Sequence, residues 1–218
     1  MDDPQLVIFD CDGVLVDSEV ISNGVLAQML SEEGLATTLA QARRDYQGLL
    51  LDDVLRLAEA KLGRSLPAGW LACYEQQRSQ AFRRELAAVP GAAVAVAHVK
   101  AAGVAVCVAS QGKLEKTRLS LELTGLSGLF DGAALFSAHS VARGKPHPDL
   151  FLHAASAMGA VPSRCVVVED SPSGVTAGVS AGMRVVGYSA DSDETALRQA
   201  GAELVASLDQ LPGLLGID

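Results

Sequence analysis

The chain has 218 residues, of which 17 are Lys or Arg and 26 are Asp or Glu, so its formal net charge at pH 7 is −9. This acidity and the scarcity of aromatic residues (1 Trp, 3 Tyr and 5 Phe) argue against a protein that binds nucleic acid or an anionic membrane surface. Hydrophobic residues make up 49% of the chain, which argues against disorder and is enough for a substantial buried core.

The sequence carries no pattern typical of a transmembrane helix, a signal peptide or a cysteine pair. No apolar run approaches the ~18–20 residues that a transmembrane helix needs. The chain begins Met-Asp-Asp-Pro, without the basic start and the small-residue cleavage site of a signal peptide. The four cysteines are far apart and form no Cys-x-x-Cys pair, which argues against a zinc site and a disulfide framework. We therefore expect a cytoplasmic protein with reduced thiols, and the self-contained core and the net charge predict a monomer.

Predicted strands and helices alternate along most of the chain. The predicted strands are short apolar runs rich in Val and Ile: Leu6–Phe9, Val104–Ala109, Ala134–Phe136, Cys165–Val168, Arg184–Tyr188 and Glu203–Ala206. Because these runs are continuously apolar, they indicate a parallel sheet covered on both faces. The predicted helices between them are Ala92–Ala102, Leu114–Leu123, Asp149–Met158 and Ser173–Ala181. This alternation predicts an α/β fold with a Rossmann-like, doubly wound parallel sheet.

The stretch between the first two predicted strands carries helical patterns instead. Apolar residues recur at helical spacing in two segments, and Pro67 can begin a third; the segments are residues 20–30, 54–62 and 67–82. We therefore predict an α/β core formed by residues 1–17 and 88–218, with an inserted α-helical domain at residues 18–87.

Acidic residues follow two of the predicted strands. Asp10 and Asp12 come after the first strand, and Glu169 and Asp170 follow the strand that begins at Cys165. Ligands of open α/β sheets bind beyond the carboxyl ends of the strands, and residues two apart on an extended segment face the same side. If these two strands are neighbours, the four carboxylates form an oxygen-rich cluster that suits Mg²⁺.

Two further segments carry groups that can bind an anion. The second strand is followed by Ser110, Gln111 and Gly112, whose hydroxyl and backbone N–H groups are expected at a helix N-terminus, where anions bind. Lys145 lies in the segment Gly-Lys-Pro-His-Pro-Asp, which Pro keeps out of a helix. Its compact ammonium can pair there with a carboxylate or with a phosphate oxygen.

Four segments in this order, DCDGVLVD, VASQG, GKPHPD and VVEDSPSGVTAG, resemble the motifs of the haloacid dehalogenase-like superfamily of phosphohydrolases. They span residues 10–178, and the helical insert after the first motif is similar to the α-helical cap of that superfamily. The most similar branch holds β-phosphoglucomutase and small sugar-phosphate phosphatases. The resemblance implies a cap that closes over the site, and hence a small phosphorylated metabolite as substrate.

The resemblance also implies a role for each matching residue. Asp10 would be the nucleophile that forms an aspartyl-phosphate, and Asp12 would act first as general acid and then as general base. Ser110 would donate a hydrogen bond to the transferring phosphoryl group. Lys145 would neutralise charge on Asp10 and on the phosphoryl oxygens.

Metal and substrate binding involve further residues. The resemblance implies that Mg²⁺ is held by Asp170, by a carboxylate oxygen of Asp10 and by the backbone carbonyl of Asp12. Glu169 would assist, directly or through water. The predicted substrate-binding residues are Gln111 and Gly112 after the second strand and Gln47 and Gly48 in the helical insert.

Departures from the family's patterns bear on the reaction. β-Phosphoglucomutases carry an Arg three residues after a cap Gly, where this chain has Leu51, and a His where it has Ser22. Both departures favour a phosphatase, in which water accepts the phosphoryl group, on phosphorylated sugars or sugar acids such as 6-phosphogluconate. Asp12 argues against dehalogenation, because the dehalogenases lack an acid/base Asp at this position. A phosphomutase and a non-catalytic phosphometabolite-binding protein are the alternatives.

Overall fold

A computed structural model describes residues 4–217, so the ends of the predicted core, residues 1–3 and 218, lie outside the described part. The described residues divide into two compact units. The larger unit contains the chain up to Val16 and from Ala88 onward, and the smaller unit is Asp17–Ala87. Val16 and Ala88 form an antiparallel bridge, so the inserted segment leaves and re-enters the larger unit at adjacent points.

Within residues 17–87, all of which the structure describes, the chain forms four helices: α1 (Glu19–Glu32), α2 (Leu39–Tyr46), α3 (Leu51–Leu62) and α4 (Trp70–Glu85). Their apolar side chains meet in a cluster that includes Leu30, Tyr46, Trp70 and Tyr74. The rings of Trp70 and Tyr74 stack with their centroids 6.1 Å apart. The smaller unit therefore has a hydrophobic core of its own.

The larger unit is built on a parallel sheet. Its strands in the described residues are β1 (Leu6–Phe9), β2 (Ala105–Ser110), β3 (Leu135–Ser137), β4 (Cys165–Glu169), β5 (Arg184–Tyr188) and β6 (Glu203–Val205). Their order across the sheet is β3-β2-β1-β4-β5-β6, and all neighbours are parallel. The predicted α/β fold is confirmed. Since β1 lies between β2 and β4, the carboxyl ends of these three strands adjoin.

Helices connect and flank these strands. In the described part of the larger unit they are α5 (Ala92–Ala101), α6 (Leu114–Leu123), α7 (Asp149–Ala157), α8 (Pro172–Ser180), α9 (Glu194–Ala200) and α10 (Leu211–Leu215). Helices α5 and α7 contact β2, and α8 contacts β4 and β5. Every residue of β1 and β4 is buried, which explains why these strands are continuously apolar up to the sheet edge. None of the described helices combines the length and the apolar character that crossing a membrane requires.

The structure corrects three local predictions. Helix α2 was not predicted, and α4 begins at Trp70 rather than at Pro67, because Gly69 takes a left-handed conformation (φ +83°) directly before it. Ser110 does not lie at a helix N-terminus. It is the last residue of β2, where it pairs with Ser137 of β3, and the N-cap of α6 is Lys113.

Candidate active site

The predicted site residues of the larger unit gather at the carboxyl edge of the sheet. Asp10 directly follows β1, Ser110 ends β2 and Glu169 ends β4. Phe9, the last residue of β1, pairs with β2 on one side and with β4 on the other. The pairing therefore brings chemically different side chains from distant parts of the sequence to one place.

Lys145 connects two of these carboxylates. Its Nζ donates a hydrogen bond to Oδ1 of Asp10 at 2.8 Å and another to Oε1 of Glu169. The Lys145 side chain is 3% exposed, and those of Asp10 and Glu169 are 10% and 0% exposed. Burial alone would lower the pKa of Lys145, but the charges of the two carboxylates outweigh it and raise that pKa. Lys145 is therefore a permanent positive charge within the site.

Burial and the charge of Lys145 act in opposite directions on the pKa of Asp10. Burial raises the pKa of Asp10 to about 7, Lys145 opposes the shift, and the charges of Glu169 and Asp12 add to it. Asp10, Glu169 and Asp170 are all buried, and each offers a carboxylate oxygen within 4.8 Å of the others. The three residues thus bring carboxylate oxygens together in one buried place, and Lys145 contacts two of them. A hard divalent cation such as Mg²⁺, which prefers oxygen ligands, fits this set of donors.

Gly13 lets the backbone approach this cluster closely. A Cβ atom at Gly13 would lie 2.0 Å from Oδ2 of Asp170, so any larger residue would displace that carboxylate. Gly13 also has a φ of +76°, a left-handed conformation that side chains with a Cβ rarely adopt. Both requirements select glycine in the turn that follows Asp10.

Glu169 is held in one orientation by the turn that begins α8. Its Oε2 accepts hydrogen bonds from the backbone N–H groups of Asp170 and Ser171, both at 3.1 Å, and from Oγ of Ser171 at 2.9 Å. A Cβ atom at Gly174 would lie 1.9 Å from the other oxygen, Oε1, so glycine makes room for the carboxylate. Since Oε1 receives Lys145, Glu169 orients that ammonium toward Asp10.

Asp12 contacts a residue that the sequence prediction did not include. Lys116, in the first turn of α6, donates a hydrogen bond to Oδ1 of Asp12. Oγ of Ser110 lies 3.5 Å from Oδ2 of Asp12 and accepts a hydrogen bond of 3.0 Å from the backbone N–H of Gly112. A cation in the first turn of a helix opposes the helix dipole. This position is unfavourable for a lysine, but the sequence does not reveal Asp12 as its partner.

Gln111 contacts the main chain of Lys145. Its Oε1 accepts a hydrogen bond of 3.1 Å from the Lys145 N–H, and its Nε2 donates one of 3.5 Å to the Lys145 carbonyl. A Cβ atom at Gly144 would lie 2.8 Å from the same amide. The amide of Gln111, predicted to bind substrate, is thus engaged in holding the Lys145 segment. Gln47 and Gly48 belong to the Asp17–Ala87 unit, where Oε1 of Gln47 accepts a 3.5 Å hydrogen bond from Arg43.

Known proteins resemble this chain over nearly its whole length. Residues 4–182 match the family model described as haloacid dehalogenase-like hydrolase. The 6-phosphogluconate phosphatase of Escherichia coli (strain K12) is 31% identical over 211 residues, which cover 96% of this chain and 94% of that protein. Hexitol phosphatase A of the same strain is 29% identical, and the match covers 94% of this chain and 91% of that protein.

The solved structures include a similar protein with a bound anion. This HAD family hydrolase from Deinococcus radiodurans R1, crystallised with bound phosphate and sodium, superposes with a TM-score of 0.80 at 33% identity. The match covers 99% of this chain and 98% of that one. The family match and the phosphatase relatives together support a phosphatase.

Proposed function

Because the chain belongs to the haloacid dehalogenase-like hydrolases, we propose that it is a Mg²⁺-dependent phosphatase that hydrolyses a small phosphorylated metabolite. The observation that carries the proposal is the buried contact of Lys145 with Asp10 and Glu169, next to the carboxylate of Asp170. The relatives act on phosphorylated sugar derivatives according to their names. We therefore propose a sugar phosphate or a sugar-acid phosphate, such as 6-phosphogluconate, as the substrate of this chain.

Asp10 provides the nucleophile in this proposal. One of its carboxylate oxygens bonds to phosphorus while the bond between phosphorus and the leaving alcohol oxygen breaks, which gives an aspartyl-phosphate. Lys145 holds Asp10 at 2.8 Å and stabilises the negative charge that develops on the phosphoryl oxygens. Glu169 keeps this ammonium in place.

Asp12 and Ser110 complete the two half-reactions. Asp12 gives a proton to the leaving alcohol, and later removes a proton from the water molecule that hydrolyses the aspartyl-phosphate. Ser110 donates its hydroxyl hydrogen to a phosphoryl oxygen. Asp10, Asp170 and the backbone carbonyl of Asp12 would hold Mg²⁺, which neutralises part of the charge between the carboxylate and the phosphate dianion when it is bound.

The Asp17–Ala87 unit is proposed as the helical cap of the enzyme. It has its own hydrophobic core and is inserted through one pair of adjacent crossings. The predicted hinges are near Asp17–Glu19 and Ala87–Gly91, at the two ends of the insert. Gln47 and Gly48, at the end of α2, are proposed to select the leaving group. The monomeric state and the cytoplasmic location stay predictions from the sequence.

The test is phosphate release from a panel of phosphorylated sugars and sugar acids, with and without Mg²⁺. We expect Mg²⁺-dependent release from one or a few compounds, and its loss in Asp10→Asn. The matched control is Asp131→Asn, which changes an exposed acid of the same unit and should leave release unchanged. If Asp10→Asn released phosphate as fast as the wild-type protein, Asp10 would not be the nucleophile. Binding without any release would favour a phosphometabolite-binding protein, and isomerisation of β-glucose 1-phosphate would favour a phosphomutase.

A further inference from the structure

Lys116 occupies a costly position for a cation. Its side chain is 9% exposed, so most of the favourable hydration of the ammonium is lost. It also lies in the first turn of α6, where the partial positive charge of the helix N-terminus opposes it. The ion pair with Asp12 compensates for both effects, because it places a carboxylate directly against the ammonium.

The surroundings of Lys116 include the residues assigned to the phosphoryl group. Lys116 contacts Asp12, and Asp12 lies 3.5 Å from the hydroxyl of Ser110. Gly112 lies between them: a Cβ atom there would be 3.3 Å from Cδ of Lys116 and 3.4 Å from Oγ of Ser110. The ammonium therefore belongs to the same cluster as the hydroxyl that would bind a phosphoryl oxygen.

The two lysines of the site, Lys145 and Lys116, have different partners. Lys145 contacts Asp10 and Glu169, whose side chains are 10% exposed or less, and is fixed by both. Lys116 contacts Asp12, whose side chain is 21% exposed and thus more accessible to an incoming group. A lysine ammonium is a compact charge on a flexible four-carbon stem, so it can move from one oxygen to another by rotation of its terminal bonds.

We propose that Lys116 is a second phosphate-binding cation, which transfers its hydrogen bond from Asp12 to a phosphoryl oxygen when the substrate binds. The exchange would replace one anionic partner of Lys116 by another. The released Asp12 carboxylate would then take up a proton from solvent, which it donates to the leaving oxygen. The inference rests on the proposed function, since the ligand is the phosphoryl group of the same substrate.

Orthophosphate, the reaction product, is the probe for this proposal. Its binding is measured by titration calorimetry with the wild-type protein in Mg²⁺ and with three variants. We expect binding to be about tenfold weaker or more in Lys116→Met, because a charge-assisted hydrogen bond is lost. Lys116→Arg should restore binding to within about threefold of the wild type. Arg118→Met removes an exposed positive charge from the same helix and should bind like the wild type.

A second measurement covers the case in which Lys116→Met does not fold. The ¹⁵N resonance of the Lys116 ammonium is assigned in the wild-type protein by its absence from Lys116→Arg, and should shift when orthophosphate is added. An unshifted resonance, or unchanged orthophosphate binding by folded Lys116→Met, would overturn the proposal. Failure of the proposed function would be distinct, because the wild-type protein would then lack Mg²⁺-dependent turnover.

Discussion

Lys145 and Asp10 are 135 positions apart in the sequence, and a 2.8 Å hydrogen bond joins their side chains. The contact depends on the sheet order, because β4 lies beside β1 and brings Glu169 to the other side of the same ammonium. Each carboxylate is buried, and each is tolerated there only with a cationic or hydrogen-bonding partner. We therefore expect Lys145 to serve both the stability of this site and its proposed chemistry.

Replacing Lys145 by Met should impair both activity and stability. We expect turnover to fall on the order of 100-fold or more, because the charge that stabilises the phosphoryl oxygens is removed. The free energy of unfolding should fall by about 3 kcal/mol, since two buried carboxylates lose their cation. Phosphate-release kinetics and urea unfolding measure the two effects. The control is Lys100→Met, which changes an exposed lysine of α5. If Lys145→Met turned over substrate as fast as the wild-type protein, the proposed role of Lys145 would be contradicted.

Replacing Gly13 by Ala should weaken Mg²⁺ binding. The matched control is Gly103→Ala, because Gly103 has nearly the same backbone angle (φ +78° against +76°) but no atom within 4 Å of an added Cβ. The control should lose about 1–2 kcal/mol of stability from backbone strain alone. Gly13→Ala must in addition move the carboxylate of Asp170, so its half-saturating Mg²⁺ concentration should rise severalfold. Equal Mg²⁺ dependence of the two variants would show that Asp170 is not a ligand.

Replacing Gln111 by Met should lower turnover without abolishing it. The new side chain is of similar length but cannot hydrogen-bond the main chain of Lys145, so the ammonium becomes less well positioned. We expect turnover to fall about tenfold and the free energy of unfolding to fall by about 1 kcal/mol. Gln199→Met, at an exposed position of α9, controls for the loss of an amide. An increase in KM alone would instead support the direct contact with substrate that the sequence predicted.

The ion pair of Arg184 with Glu203 should make stability depend on pH. Two hydrogen bonds of 2.8 and 2.7 Å join their side chains, and these bonds keep the pKa of Glu203 below its usual range. A lowered folded-state pKa contributes stability above the unfolded value, and the contribution is lost as the pH falls through the folded value.

The comparison variant for this ion pair is Glu203→Gln. Because the side chains of Glu203 and Arg184 are 47% and 25% exposed, solvent screens the ion pair, and the wild-type protein should be more stable than the variant by only about 0.5–1 kcal/mol at pH 7. The difference should begin to decline as the pH falls below the ordinary Glu pKa of about 4.3, and should disappear once the pH lies below the lowered pKa of Glu203 in the folded protein. Urea unfolding at several pH values measures it. A difference that stays constant down to pH 2 would mean that the charge of Glu203 is not its source.

The sequence predicted the α/β fold because its strands are unusually apolar. Runs such as Leu6–Phe9 and Cys165–Val168 end abruptly at acidic residues, and this boundary indicates both the strand ends and the candidate site. Helix α2 was missed because it is short and polar on most of its surface. The hydrogen bonds between Thr38 and Gln41 form a capping box, which was the available signal for its start.

The contacts of Lys116 and Gln111, by contrast, could not be predicted from the sequence. A lysine in a polar helix is usually solvated, and the sequence does not say that α6 points this side chain at Asp12. Gln111 follows a strand end, a position that suits ligand binding, whereas its partner is the main chain of Lys145, 34 residues further on. Both contacts depend on how α6 and the loops after separate strands meet, which local sequence patterns do not encode.

The adjacent crossings at Val16 and Ala88 have an evolutionary consequence. The N–H of Val89 donates a 3.0 Å hydrogen bond to the carbonyl of Leu15, so the outgoing and returning chains are joined before the insertion begins. A segment whose two ends are joined in this way can be lengthened, exchanged or grafted without changing the register of β1. We therefore expect Asp17–Ala87 to tolerate evolutionary change in length and sequence without loss of the strand register that positions the candidate site.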